Sequence, residues 1–121
     1  MMSILFLGYS KCSTCSKARK WLEKNQVEFE NRDIKEANPN AVELTMWYHH
    51  SGLPLKNFFN TSGKLYKEMK LKDKLLDMSE KEQIRLLATN GMLIKRPMIV
   101  GEDFVLVGFK EKEWEEKLGG F

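Results

Sequence analysis

The chain of 121 residues contains only two cysteines, Cys12 and Cys15, three apart in the segment Gly8-Tyr9-Ser10-Lys11-Cys12-Ser13-Thr14-Cys15. The segment follows the apolar run Ile4-Leu5-Phe6-Leu7 and precedes a stretch of helical periodicity, so the pair falls at a strand-to-helix turn. A thiol at a helix N-terminus faces unpaired backbone N–H groups and the positive end of the helix dipole, both of which favour thiolate over thiol, and Lys11 adds a cation. Cys12 is therefore the expected nucleophile. Cys15, one helical turn further on the same face, is the expected resolving cysteine: it would attack a mixed disulfide at Cys12 and release the second product as a thiol. Two other uses of such a pair stay open. Zinc needs four ligands, and the only other candidates, His49 and His50, are neighbours that point apart on a helix, so no metal is expected. Two inert buried cysteines would suit Cys15, which lies on the apolar face, and would suit Cys12 poorly.

Arg96-Pro97, ahead of the apolar Met98-Ile99-Val100, is the second signal. A cis proline at the start of a strand would turn the preceding backbone toward a neighbouring loop, where a guanidinium can hold a thiolate or an anion. A trans proline at a strand edge is the alternative. Cys12, Cys15 and Arg96 are thus the catalytic candidates, with Lys11, Ser13 and Pro97 as candidate substrate-binding residues. Trp21, Trp47, Tyr48, Phe109 and the methionines read as core, and His49-His50 as surface.

These residues need a scaffold, and the hydrophobic pattern supplies one. Residues 4–8 form a short buried strand ended by Gly8. Residues 13–25 place Cys15, Ala18, Trp21 and Leu22 on one helical face, and residues 27–33 alternate loosely as a second strand. Asn38-Pro39-Asn40 starts a helix whose face is Ala41, Leu44, Thr45 and Tyr48, ended at Ser51-Gly52. A connector spans residues 53–63, and residues 65–76 make one or two short helices. Ser79 and Glu82 then form a capping box for a helix closed at Asn90-Gly91. Residues 98–100 and 104–107 flank Gly101-Glu102-Asp103 as a β-hairpin, and residues 111–118 form a last helix. The expected plan is α/β: β-α-β, a helical insertion at about residues 39–91, then β-β-α, with a mixed four-stranded sheet in one domain over residues 1–121.

Composition limits the remaining classes. Apolar residues make up 42% and charged residues 31% of a 14.2 kDa chain, enough to bury a core without disulfides or a structural metal. The net charge is only +3, with signs interleaved as in Lys17-Ala18-Arg19-Lys20 followed by Glu23-Lys24. The lysine-rich stretch 64–74 also holds Glu68 and Asp73 and reads as a solvated helix surface, so no direct nucleic-acid partner is expected. The longest apolar run falls far short of the ~20 residues of a membrane helix. Met1-Met2-Ser3 carries neither the positive flank nor the cleavage site of a signal peptide, which points to the cytoplasm.

Taken in order, Cys12/Cys15, the helix Lys17-Ala18-Arg19-Lys20-Trp21-Leu22, Asn38-Pro39, Asn60-Thr61-Ser62-Gly63 and Lys95-Arg96-Pro97 resemble the arsenate reductase-like family. That family includes the Spx-type and MgsR-type regulators. The resemblance runs over essentially the whole chain and implies a thioredoxin-like fold with a helical insertion. It also matches Cys12 to the family's nucleophilic cysteine and Arg96-Pro97 to its Arg-Pro pair, whose arginine helps to bind an anionic substrate. Arsenate reductases use further arginines, one before the third helix and one after the last strand. The corresponding stretches here, Phe58-Phe59-Asn60-Thr61-Ser62-Gly63 and Leu106-Val107-Gly108-Phe109-Lys110, contain none, and those reductases usually lack a cysteine at the Cys15 position. A trianionic tetrahedral substrate would lack its clamp, so arsenate is not the expected substrate. The resemblance implies instead a thiol–disulfide oxidoreductase without bound cofactor, acting on a thiol or disulfide substrate, with glutathione or thioredoxin as electron donor. Spx-type regulators carry the same pair as a redox switch and touch the C-terminal domain of the RNA polymerase α-subunit through a surface that includes a glycine matching Gly52. A redox-sensing regulator is accordingly the alternative function; Gly52 reads first as a helix C-cap, and as a partner-binding residue only in that alternative.

Overall fold

In the computed structural model, which describes residues 4–119, the opening apolar run becomes strand β1 (Leu5–Gly8) of a four-stranded sheet ordered β2-β1-β3-β4. Strand β2 (Glu30–Asp33) runs parallel to β1, whereas β3 (Met98–Val100) and β4 (Val105–Val107) continue the sheet antiparallel. Because side chains alternate across a strand, the register sorts the core into two layers. Leu7, Met98 and Val107 stand in one row and face one side; Phe6, Ile99 and Leu106 stand in the next row and face the other. The Phe6 layer is covered by α1 (Ser13–Lys24) and α6 (Glu111–Leu118) through Ala18, Leu22, Trp114 and Leu118. The Leu7 layer is covered by α2 (Ala41–Ser51), α3 (Lys64–Glu68), α4 (Leu71–Lys74) and α5 (Glu80–Thr89). Phe6, Leu7, Met98 and Ile99 are essentially inaccessible, and burial of each such side chain contributes about 1.5–3 kcal/mol. The order β-α-β, helices, β-β-α around a mixed sheet is the thioredoxin-like arrangement that the sequence predicts.

Polar contacts fix the connections. Asn40 caps α2 in a reciprocal box with Glu43, and Ser79 does the same for α5 with Glu82, as its sequence predicts. Glu43 also receives both terminal nitrogens of Arg32, at 2.7 and 3.0 Å, which ties edge strand β2 to the start of α2. Asn38 donates to the Ala88 carbonyl at 2.8 Å and joins the same region to the end of α5. Gly91 is required where it stands, since a Cβ there would lie 1.7 Å from the Ile34 carbonyl oxygen.

Several local expectations need correction. Pairing of β2 with β1 begins only at Glu30, because the Val27 N–H is used to close α1 on the Leu22 carbonyl at 2.9 Å. Val27 is buried all the same, ahead of the ladder. On α2 the buried pair is Leu44 and Trp47, with Ala41 and Tyr48 half-buried and Thr45 exposed. The expectation of one or two short helices here holds as two: Lys70 adopts φ 55°, α3 ends before it and α4 starts after it, and the chain leaves through the 3₁₀ turn Leu75–Asp77 with Leu76 82% exposed. The connector holds a 3₁₀ turn of its own, Leu55–Phe58, and Met46 projects outward rather than into the core.

Candidate active site

Cys12 is the N-cap of α1, with the extended backbone (φ −96°, ψ 117°) that lets a side chain fold back over the first turn. Its Sγ accepts the Cys15 N–H at 3.4 Å, so sulfur occupies the place usually taken by a serine or aspartate oxygen. The Cys12 N–H in turn donates to the Tyr9 carbonyl at 3.0 Å, which shapes the turn leaving β1. Both cysteines are free thiols. Cys12 is half-buried, whereas Cys15 is 2% exposed in the layer beneath α1.

The two thiols are driven apart in acidity. Partial burial pushes the Cys12 thiol up, but hydrogen bonds from the Cys15 thiol, the Cys15 N–H and the Thr14 N–H, together with the Arg96 charge, outweigh it and hold Cys12 below the ordinary cysteine value. Cys15 moves the other way. Burial raises it most, and the loss of its proton would both break the hydrogen bond to Cys12 and set two thiolates side by side; it is pushed up to about 12. One sulfur is thus prepared to attack while its neighbour keeps its proton.

The cation that acts on Cys12 comes from far along the chain. Arg96 lies on the segment leading into β3, and its peptide bond to Pro97 is cis, as the sequence predicts. Its guanidinium lies 5.5 Å from the centre of the Tyr9 ring, and its Nη1 makes only long hydrogen bonds, 3.5 Å to the Met92 carbonyl and 3.4 Å to the Ile94 carbonyl. Its Nε is buried with no hydrogen-bond partner. The guanidinium is therefore steered by a ring and a few weak contacts, with donors left for a further anion.

Arg96 also forms part of a cleft of about 560 Å³ beside the start of α1. Thr14 lines one side, Lys56 and Thr61 come from the connector, Lys95 and Arg96 from the segment before β3, and Gly108, Phe109 and Lys110 from the turn after β4. Gly108 adopts φ 80° and donates its N–H to the Pro97 carbonyl at 2.8 Å, which brings that turn against the Arg96-Pro97 segment. Trp114 secures the same glycine from below through its indole N–H, 3.1 Å from the Gly108 carbonyl.

The structure thus gathers Cys12, Cys15 and Arg96 into one electrostatic unit. Pro97 is buried behind it, while Lys11 and Ser13 are exposed and their side chains make no hydrogen bond or ion pair among the described residues. Gly52, at φ 68°, is the left-handed C-cap of α2, exposed and with open space where a Cβ would stand. Phe109, read from sequence as core, is half-buried: it packs edge-on against Trp114 at 4.8 Å and also borders the cleft. Tyr9, Lys56, Lys95 and Lys110 join the site without a prior signal strong enough to select them. Tyr9 carries a faint one, as the residue between the strand-ending Gly8 and the cysteine turn; the lysines carry none. Among the described residues no group of three His, Cys, Asp or Glu side chains is placed to hold a metal ion, and no helix is long and apolar enough to cross a membrane.

Comparison with known proteins finds relatives over nearly the whole chain. The chain is 53% identical over 115 residues to the protein YusI of Bacillus subtilis, covering 95% of this chain and 98% of that one. It is 31% identical over 112 residues to the global transcriptional regulator Spx of Streptococcus agalactiae, covering 93% and 80% respectively. Among solved structures, an ArsC family related protein from Bacteroides fragilis superimposes with a TM-score of 0.91 at 60% identity, over 93% of this chain and 95% of its own. The model of the ArsC family matches residues 7–117, a span that holds the cysteine turn, the helical insertion and the Arg96-Pro97 segment, and the chain belongs to the ArsC family.

Proposed function

We propose that this protein is a thiol–disulfide oxidoreductase of the reducing cytoplasm, with Cys12 as nucleophile and Cys15 as resolving thiol. The observation that carries the reading is the placing of the Cys12 sulfur at the α1 N-cap, under the Cys15 N–H and within reach of the Arg96 charge. In the first step the Cys12 thiolate attacks one sulfur of a disulfide R–S–S–R′, forming Cys12–S–S–R and expelling R′–S⁻, which takes a proton from water. Bond formation at Cys12 neutralises its thiolate and removes the like charge that opposed ionisation of Cys15. Cys15 then gives up its proton, attacks the Cys12 sulfur and expels R–S⁻, leaving a Cys12–Cys15 disulfide. Two electrons have passed from the pair to the substrate, and glutathione or thioredoxin returns them in the reverse exchange without a bound cofactor. Arsenate fits this site less well, because Arg96 is the one guanidinium bordering the cleft and lysines stand elsewhere around it.

The 31% identity to Spx supports a second reading, in which the same pair switches a surface that binds the C-terminal domain of the RNA polymerase α-subunit. Gly52 marks that surface, being exposed with nothing above its Cα. The two readings separate in one pair of assays: steady-state reduction of a small disulfide, and direct binding to the isolated polymerase domain. For the enzyme, Cys12→Ser abolishes reduction, whereas Gly52→Arg, at a cost of about 1 kcal/mol for a left-handed non-glycine residue, leaves it nearly intact. For the regulator, the wild-type protein binds the domain at micromolar affinity, loses it with Gly52→Arg, and reduces no small disulfide.

A further inference from the structure

We infer that Asp33 accepts the proton that Cys15 releases in the resolving step, through water held in a small polar cavity beside Cys15. This rests on the thiol–disulfide reading for the role of Cys15, and it gives the proton of that step a destination. Cys15 is 2% exposed, in the apolar layer under α1, so its proton needs a carrier to reach solvent. Next to it lies a cavity of about 40 Å³ that shares no lining residue with the cleft of Arg96. Cys15 and Arg19 of α1, Ser10 of the turn, and Asn31 and Asp33 of β2 supply its polar walls. A space of that size with such a lining holds about one or two waters.

The sheet register puts the carboxylate there. Phe6 pairs with Asn31 and Gly8 with Asp33, so both polar side chains share the α1 side of the sheet with Phe6. Gly8 stands opposite Asp33 and against Cys15, where a Cβ would lie 3.4 Å from the Cys15 Cβ; it has no side chain to come between the two. Strand β1 itself, Leu5–Gly8, carries no titratable side chain, so β2 is the neighbouring strand that supplies one. Asp33 Oδ1 accepts the Lys35 and Glu36 N–H groups at 2.8 and 2.9 Å, which fixes the carboxylate, while Oδ2 accepts no hydrogen bond among the described residues. Of the titratable groups that face Cys15 or share its cavity, Cys12 is tied up in the mixed disulfide, Arg96 and Arg19 are cations with no acceptor, and Tyr9 offers only a phenol; Asp33 is the remaining base. The step then balances. The Cys15 sulfur bonds to the Cys12 sulfur, the Cys12–S–S–R bond breaks and R leaves with the electron pair as R–S⁻. The Cys15 proton passes through water to Asp33, and on to solvent past the exposed Ser10 and Asn31.

The test uses a chromogenic disulfide, dithiobis(nitrobenzoate), mixed at one equivalent with the reduced protein in a stopped-flow cell. Attack by Cys12 releases a first coloured thiolate, and attack by Cys15 on the resulting mixed disulfide releases a second, so each step is read separately. Asp33→Asn keeps an oxygen acceptor for the Lys35 and Glu36 N–H groups, and its fold is checked by melting temperature. At pH 6.5 it is expected to slow the second release about tenfold or more and to leave the first within about twofold. The deficit is expected to shrink toward pH 9, where hydroxide takes the proton instead. Asp33→Glu is expected to restore most of the rate, and Asp73→Asn, on exposed α4, to change neither release. The sign is diagnostic, because loss of a nearby negative charge would by itself ease ionisation of Cys15 and speed the second release. A second release that is unchanged or faster in Asp33→Asn, a deficit equal at pH 6.5 and pH 9, or an equal slowing of both releases would overturn the inference and leave the oxidoreductase reading in place. A wild-type protein that gives no second release would overturn both. If the wild-type protein shows no turnover with oxidised glutathione, yet its second release depends on Asp33 in this way, the enzyme reading fails and the proton acceptor stands.

Discussion

Alkylation of the two cysteines should differ by orders of magnitude, and the structure sets the scale. Cys15 is pushed up to about 12 from an ordinary 9.0, three powers of ten in its ionisation constant. At pH 7 an ordinary thiol of that kind is about one per cent thiolate, and Cys15 is then about a thousandfold less, roughly one molecule in a hundred thousand. Cys12 is held below the ordinary value and is correspondingly richer in thiolate. Since the thiolate is the species that reacts, brief treatment of the native protein with iodoacetamide at pH 7 should label Cys12 and leave Cys15 unlabelled. The labelled peptides can be counted by mass spectrometry, with the urea-unfolded chain, in which both sites react alike, as the reference. Burial of Cys15 at 2% exposure acts in the same direction. Raising the pH stepwise should give the native Cys12 rate a midpoint below that of the unfolded chain, with Cys15 still protected there. Comparable labelling of both cysteines in the native protein at pH 7, or a Cys12 midpoint at or above that of the unfolded chain, would refute the division of roles.

Two further outcomes follow from the same contacts. Arg96→Met should move the Cys12 rate–pH curve to higher pH; Tyr9→Leu, which removes the ring beside the guanidinium, should move it the same way, while Tyr9→Phe should not. Glu43 is held below the usual carboxylate range by its hydrogen bond from Arg32, so it stabilises the fold above the unfolded carboxylate value and loses that effect as pH falls through its own lower one. Glu43→Gln should therefore lower the melting temperature by roughly 3–6 °C at pH 6, for a loss of about 1 kcal/mol, and the gap to wild type should close toward pH 3 when both are followed by circular dichroism.

What can be read from the string is whatever depends on neighbours in sequence. The strand at residues 4–8, the helix that follows it, the Ser79 capping box and the closing hairpin are periodic or capped locally, and they stand close to where the pattern puts them. The place of the candidate nucleophile is legible for the same reason: Cys12 stands at the helix N-cap where the sequence puts it. Errors arise where tertiary competition decides. Val27 spends its N–H on the end of α1 instead of on the sheet, and Trp47 displaces Thr45 from the buried face of α2. The site has the same limit. Lys11 adjoins Cys12 in sequence, but the charge that acts on the thiol belongs to Arg96, delivered by the sheet register and the turn at Gly108. Lys56, Lys95 and Lys110 are lysines like those of the solvated stretch 64–74 until the fold brings them to one cleft.

The central claim is that Cys12 attacks and Cys15 resolves, and it is tested most directly by trapping the intermediate between the two steps. Reduced Cys15→Ser protein mixed with oxidised glutathione should gain one glutathione, mapped to Cys12, and hold it. The wild-type protein should pass through the same adduct and end two hydrogens lighter than its reduced form, with glutathione released. An adduct that persists on the wild-type protein, or one that maps to Cys15 in a Cys12→Ser variant at a comparable rate, would contradict the account.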